Sequence, residues 1–381
     1  MMSKLVVATV LFMVMLGAPG VSGAAPTSAG QRPEPFIVVL RDGVDPALVA
    51  DEHARRQGAE VGHIYRAALN GYAARIPAGR LAELRADPRV AYVEADGAVA
   101  TTAQTLPWGI NRVDTDVSST LAGNGSGAVG TTNAYIIDTG ISSHADLNLV
   151  AHGNWTGDAK NYDCNGHGTH VAGTVGAKDN ADYLVGAAPG VSLIGLKVLT
   201  CDGSGSMSNV IAAVDWVTSN AQKPAVANMS LVGGALKSLD DAVRKSASTG
   251  VLYVVVAGNS GADACNYSPA RAGAGTNNGI ITVAATDSSN NEASWSNYGS
   301  CVDIWAPGVS IVSTYNNGGT ATMSGTSMAS PHVAGTGGLY LSKNTSASPA
   351  TAEAILKANV LSPGTASKDG RAVKIVYAGT Y

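Results

Sequence analysis

The stretch Asn133-Ala134-Tyr135-Ile136-Ile137-Asp138 decides how this chain folds. Its apolar residues run without alternation and close on an aspartate, the pattern of a parallel strand buried on both faces. The pattern returns in VSLIGLKVL (191–199), in VANMSL ending at Leu231, in VLYVVVA (251–257) and in GIITVAA (279–285). Helices are expected between or after these runs, at 167–177, 206–219, 237–248 and 327–342. Strands alternating with helices predict an α/β fold, a doubly wound, mostly parallel sheet with helices on both faces. Such sheets carry their sites beyond the carboxyl ends of the strands, and Asp138 ends its strand.

Two further blocks supply what a carboxylate alone cannot do. NGHGTH surrounds His167 and SGTSMASPH surrounds Ser327, giving carboxylate, imidazole and hydroxyl in the chain order Asp, His, Ser. A serine hydroxyl is a poor nucleophile until an imidazole takes its proton, and the imidazole must be held in one tautomer by a buried carboxylate. His167 and His170 could instead be metal ligands, but HGTH lacks the four-residue offset and the glutamate of HExxH. Gly166 and Gly168 let the backbone open a helix at His167 in a crowded cleft, whereas His170 reads as a core residue. Ser327 could be a helix cap. Placed at a helix start, its N–H also meets any oxyanion that forms there. Residue 329 is Ala, so the block is not the G-x-S-x-G of lipases and esterases. Asn259, in VVVAGNS after a buried strand, is either a turn residue or a second oxyanion donor.

The front of the chain has a different character. Residues 25–100 carry nine Arg, no Lys and ten Asp or Glu, and charge density falls to about a tenth after that, where Glu292 and Glu353 are the only glutamates. FIVVL (36–40), a helix over ALVADEHARRQG, a strand near Ile64 and Tyr65, GYAARI, a helix over AGRLAELRADP and VAYVEAD give a β-α-β-β-α-β order. That order makes a small ferredoxin-like α+β domain with both helices on one face. Before it, one lysine and an apolar run from Leu5 to Leu16 have the layout of an export signal over residues 1–24, too short to span a bilayer. The net charge of −4 makes neither nucleic acid nor an anionic membrane surface a partner. Four cysteines in an exported chain suggest two disulfides, and sequence alone leaves three pairings open.

With these motifs in place, the chain resembles the subtilisin-like serine proteases, and within them the proteinase K branch. VDWVTSNAQKPAVANMSL, NYSPARA and SNYGSCVDIWAPG are most similar to aqualysin-type secreted enzymes. The likeness covers nearly all of 101–381, while ALNGYAARIP and DPRVAYVEAD, within 36–97, resemble the family's inhibitory propeptide. The resemblance implies Asp138, His167 and Ser327 as a triad with Asn259 as oxyanion donor. It implies that an extended substrate pairs with Gly203-Ser204-Gly205 and Ser230-Leu231-Val232. Ala257 and Gly258 would border the pocket for the residue before the cut. It pairs Cys164 with Cys201 and Cys265 with Cys301. It also implies structural calcium and no catalytic metal, with ligands at Asp303 and at carbonyls near Asn278 and Ile280. A second family site, near the mature N-terminus, offers only Asp114 here, beside Asn111 and Thr115.

The expected protein is a secreted, monomeric serine endopeptidase acting on proteins and peptides, made as a precursor. The precursor has a signal at 1–24, a propeptide at 25–100 that inhibits and helps fold the enzyme, and a catalytic domain at 101–381. The alternative is a non-catalytic binding protein on the same scaffold. Val232 and Val256 stand where the family pattern has Gly and Ala, and the added methyl groups predict a narrow pocket that takes small side chains.

Overall fold

The computed structural model of the chain describes residues 33–96, 104–275 and 277–381. The expected leader over 1–24 and the expected junction after Ala100 lie outside them. The chain divides into two compact units that part at residue 100.

In the first unit, β1 (Glu34–Leu40), α1 (Pro46–Gln57), β2 (Glu60–Tyr65), β3 (Gly71–Ile76), α2 (Leu81–Ala86) and β4 (Val90–Ala95) follow one another in the expected order. The strands pair antiparallel in the order β2-β3-β1-β4. Helix α1 begins where Asp45 accepts the Ala47 N–H at 2.9 Å and ends at Gly58, whose φ of 69° lets the chain leave the helix. Helix α2 is shorter than the sequence suggests, because Ala78–Arg80 form a tighter 3₁₀ turn before it. Phe36, Val38, Leu40, Val49, Tyr72, Ile76 and Leu84 make the buried core of this unit.

The second unit is built on nine strands: β5 (Asn133–Asp138), β6 (Leu149–Asn154), β7 (Ser192–Lys197), β8 (Ala225–Met229), β9 (Val251–Val256), β10 (Ile280–Thr286), β11 (Ile304–Pro307), β12 (Val360–Leu361) and β13 (Ile375–Val376). Their order across the sheet is β12-β13-β11-β10-β9-β8-β5-β7-β6. Every pairing is parallel except that of β12 with β13. Helices α3 (His167–Gly176), α6 (Thr326–Lys343) and α7 (Pro349–Ala358) pack on one face, and α4 (Met207–Asn220) and α5 (Lys237–Ser248) on the other. Strand β5 shows why its sequence does not alternate. Ala134 and Ile136 enter the core under α3 and α6, while Tyr135 and Ile137 enter the core under α4 and α5.

The strand order reverses at β5: β6 and β7 lie on one side, and β8 with its successors on the other. A reversal of this kind opens a crevice at the carboxyl end of the strand. Asp138 stands there. Among the described residues no helix is long and apolar enough to cross a membrane.

Candidate active site

Asp138 is fully buried at the end of β5. Its Oδ1 accepts the Thr139 N–H and Nδ1 of His167, each at 2.7 Å. With Nδ1–H given to a carboxylate, the lone pair of the neutral imidazole lies on Nε2. His167 is the first residue of α3, and 20% of its side chain is exposed. Burial pulls its pKa down, but the charge and hydrogen bond of Asp138 and the charge of Asp163 outweigh burial, so it stands above the ordinary value near 6.5.

The glycines on either side of His167 are sterically required. A Cβ on Gly166, whose φ is 107°, would lie 2.2 Å from the Tyr315 ring, and one on Gly168 would lie 2.1 Å from the Gly140 carbonyl oxygen. The helix start is organised by Asp163, a residue that the sequence reading missed. Its Oδ1 accepts the N–H groups of Asn165 (3.0 Å) and Gly166 (2.8 Å) and the Thr139 hydroxyl (2.8 Å). Its Oδ2 accepts the N–H (2.9 Å) and hydroxyl (2.6 Å) of Thr169. A carboxylate on the free N–H groups of a helix start is favourable for hydrogen bonding and for the helix dipole. The signal was present in DCNGHGTH, an aspartate placed three residues before the glycine that opens the helix. Thr139 accepts the Gly168 N–H at 2.9 Å, which joins the end of β5 to α3. His170, one turn further in, is buried against the carbonyls of Ile311 and Ala321, and burial lowers its pKa to about 4.

Ser327 is the second residue of α6. Its hydroxyl donates to the Ser230 carbonyl at 3.1 Å, while the Ser230 hydroxyl donates to the Ser327 carbonyl at 2.8 Å. Ser327 Oγ is thus directed at Ser230 rather than at His167 in this structure. Asn259 Oδ1 accepts the N–H (2.9 Å) and hydroxyl (2.8 Å) of Thr326, which fixes the amide and turns Nδ2 the other way. A Cβ built on Gly325 would lie 3.5 Å from Asn259 Nδ2 and 3.6 Å from the Ser327 nitrogen. Two N–H donors therefore border one point beside the serine.

His167 lines a cleft of about 420 Å³ whose walls are Gly203-Ser204-Gly205 and Ser230-Leu231-Val232, with Leu199 and Asn165. The first wall is a turn in which the Thr200 N–H donates to the Ser204 carbonyl at 2.8 Å. The Cys164–Cys201 disulfide, with its Cα atoms 5.0 Å apart, ties that turn to the segment entering α3. The Cys265–Cys301 disulfide spans 5.3 Å between Cα atoms. Ala257 is fully buried, and the N–H of Gly258 donates to the Thr326 hydroxyl at 3.3 Å. Val232 Cγ1 comes within 3.6 Å of where a Cβ on Gly258 would be, so the valine faces Gly258 across the second wall.

The residues expected as calcium ligands, Asp303, Asn278 and Ile280, have other partners in this structure. Lys357 Nζ donates to Asp303 Oδ1 at 2.8 Å and to Glu353 Oε1 at 3.0 Å, so an ammonium already stands on the carboxylate. A second group of oxygens gathers around Gln104 and Asp146. Gln104 Oε1 is buried with no partner among the described residues, while its Nε2 donates to the carbonyls of Lys178 (2.8 Å) and Leu184 (3.3 Å). The buried Asp146 carboxylate accepts Asn180 Nδ2 at 2.8 Å and the Leu184 N–H at 3.3 Å, and burial raises its pKa. Carbonyl, amide and carboxylate oxygens are the donors that calcium takes. This cluster was missed because only one of its members is charged.

The Subtilase family model matches residues 135–374, and the Peptidase inhibitor I9 model matches residues 35–102. Alkaline serine exoprotease A of Vibrio alginolyticus is 43% identical over 340 residues, covering 84% of this chain and 61% of its own length. An extracellular serine proteinase of a Thermus species is 45% identical over 343 residues, covering 83% of this chain and 78% of its own length. The chain therefore spans less than two thirds of the Vibrio relative. A solved cold adapted subtilisin-like serine proteinase matches with a TM-score of 0.64 at 41% identity, over 72% of this chain and 98% of that one.

The packing around His167 yields a direct test. Gly168→Ala should cost at least about 1–3 kcal/mol through overpacking against backbone, lowering both the thermal midpoint and kcat/KM. Gly130→Ala, where an added methyl meets nothing within 4 Å, should change neither.

Proposed function

This chain belongs to the subtilase family, and from that premise we propose that it is a secreted serine endopeptidase, made as a precursor that its own active site matures. One observation carries the reading: buried Asp138 holds His167 by a 2.7 Å hydrogen bond, and His167 lines one cleft with Ser230, whose carbonyl accepts the Ser327 hydroxyl. Ser327 Oγ turns from the Ser230 carbonyl to His167 Nε2 and attacks the peptide carbonyl carbon. His167 takes the hydroxyl proton and then gives it to the leaving amine; water, deprotonated by the same imidazole, releases the acyl group from Ser327. Asp138 holds the tautomer and stabilises the imidazolium. Asn259 Nδ2 and the Ser327 N–H receive the oxyanion. Removing one such donor costs about 2.7–4 kcal/mol, a figure that comes from subtilisin, a member of this family.

The substrate is an extended peptide that adds a strand between Gly203-Ser204-Gly205 and Ser230-Leu231-Val232. Val232, turned toward Gly258, narrows the pocket for the residue before the cut. The unit ahead of residue 100 acts as an inhibitor and folding aid, in keeping with the Peptidase inhibitor I9 match. Gln104, Asp146 and Asn180, with the carbonyls of Lys178 and Leu184, would hold a structural calcium ion. There it would neutralise a buried carboxylate and fix the loop between Lys178 and Leu184.

Three measurements test the reading. Ser327→Ala should accumulate as a chain beginning near residue 25; if it matures to Thr101 in a host lacking other proteases, the assignment fails. Because only neutral His167 accepts a proton and its pKa is raised, kcat/KM should fall toward acid with a midpoint above 6.5. Asp138→Asn removes the charge that raises it, so the midpoint should move down while kcat drops about 10,000-fold. Peptides with Ala before the cut should be preferred over Phe by about 10–200-fold, and Val232→Gly should shift the preference toward Phe. Equal turnover of the Phe peptide by the unaltered enzyme would remove Val232 from the pocket.

A further inference from the structure

Lys357 sits on α7 one turn after Glu353, which is fully buried. Glu353 Oε2 accepts three consecutive N–H groups at the start of β10, from Asn278 (2.7 Å), Gly279 (2.7 Å) and Ile280 (3.3 Å). Its other oxygen takes Lys357. Asp303, just before β11, gives Oδ1 to Lys357 and Oδ2 to the Thr282 N–H at 2.9 Å. One ammonium therefore joins a helix to two neighbouring strands by bridging two carboxylates from different elements. The surrounding oxygens are of the kind a hard cation takes. A Cβ on Gly273 would lie 2.9 Å from the Ile280 carbonyl oxygen, 3.1 Å from Thr282 Oγ1 and 3.4 Å from Asp303 Oδ2.

We propose that Lys357 is the resident cation of this corner, occupying by a side chain a site whose oxygens would otherwise take a divalent metal ion. A metal ion dissociates when its free concentration falls, and the stability it supplies falls with it. The ammonium is part of the chain and cannot be chelated. Left without it, Asp303 and Glu353 would be two buried carboxylates facing one another, which is costly unless a cation is supplied. This corner is thus held at any calcium concentration, and the calcium dependence of the protein resides elsewhere, at the Gln104 and Asp146 cluster.

The test uses the full chain carrying Ser327→Ala, so that self-digestion does not intervene, and reads bound calcium by equilibrium dialysis together with the thermal midpoint in calcium and in chelator. In that background Asp303→Asn should lower the midpoint equally in both conditions and leave the calcium count unchanged. Asp146→Asn should lower the count. Lys357→Ala should lose stability in chelator, regain part of it in millimolar calcium and bind one calcium more than its parent. Lys357→Arg should bind no extra ion. A parent whose calcium count falls by one on Asp303→Asn, or a folded Lys357→Ala chain that gains no calcium, overturns the proposal. If Lys357→Ala does not fold, the count for Asp303→Asn decides.

Discussion

The hydrogen bond between Asp138 and His167 is only possible because a strand and a helix end within one residue's width of each other. The first turn of α3 lies so close to the end of β5 that a single methyl on Gly168 would overlap the Gly140 carbonyl. Thr139 occupies the seam, with its hydroxyl donating to Asp163 and accepting from Gly168. Lys197 braces the same seam from the next strand, where its Cα is the register partner of Asp138. Its fully buried ammonium donates to the carbonyls of Thr139 (3.2 Å) and Leu199 (2.7 Å). The turn that carries the first wall of the cleft is thus anchored to the same point as the carboxylate.

The two helices that begin at the site have had their positive ends used differently. At α3 the free N–H groups are taken by Asp163, whose charge also helps hold the pKa of His167 up. A bare helix start would have pushed that pKa down, since it disfavours a cation. At α6 the Thr326 N–H is taken by the neutral oxygen of Asn259, which adds no charge. The Ser327 N–H lies in the helix's first turn, where the geometry of a helix leaves N–H groups without an intrahelical partner. In the mechanism proposed above, the quenched end is the one where a positive charge would form, and the other is the one where a negative charge would form.

Much of this was legible in the sequence because the strands that position the site are buried on both faces. Unbroken runs such as VLYVVVA leave little choice of element, and the glycines around His167 marked a close approach before any contact was known. Strands β6, β11, β12 and β13 were not legible, for physical reasons. Strand β6 is an edge strand reading Leu-Val-Ala-His-Gly-Asn, and β12 and β13 are only two residues long. Asp163 and Gln104 act through contacts with loops that no periodicity encodes. The ammonium on Asp303 was not legible either, because Lys357 lies 54 residues away in the chain.

The direction of the Ser327 hydroxyl follows from what surrounds it in the absence of substrate. It donates to the Ser230 carbonyl, which belongs to a segment that lines the cleft. A peptide pairing with Ser230-Leu231-Val232 would bring its own N–H donors to this backbone, and the hydroxyl would face competition for the carbonyl it now holds. In the mechanism proposed above, the hydroxyl then turns to the imidazole lone pair. On that proposal, pairing of a peptide with Ser230-Leu231-Val232 and the turn of Ser327 toward His167 would be linked through the Ser230 carbonyl. The same logic makes the Asn259 clamp on Thr326 necessary. The helix start must stay still while the side chain at its second residue turns.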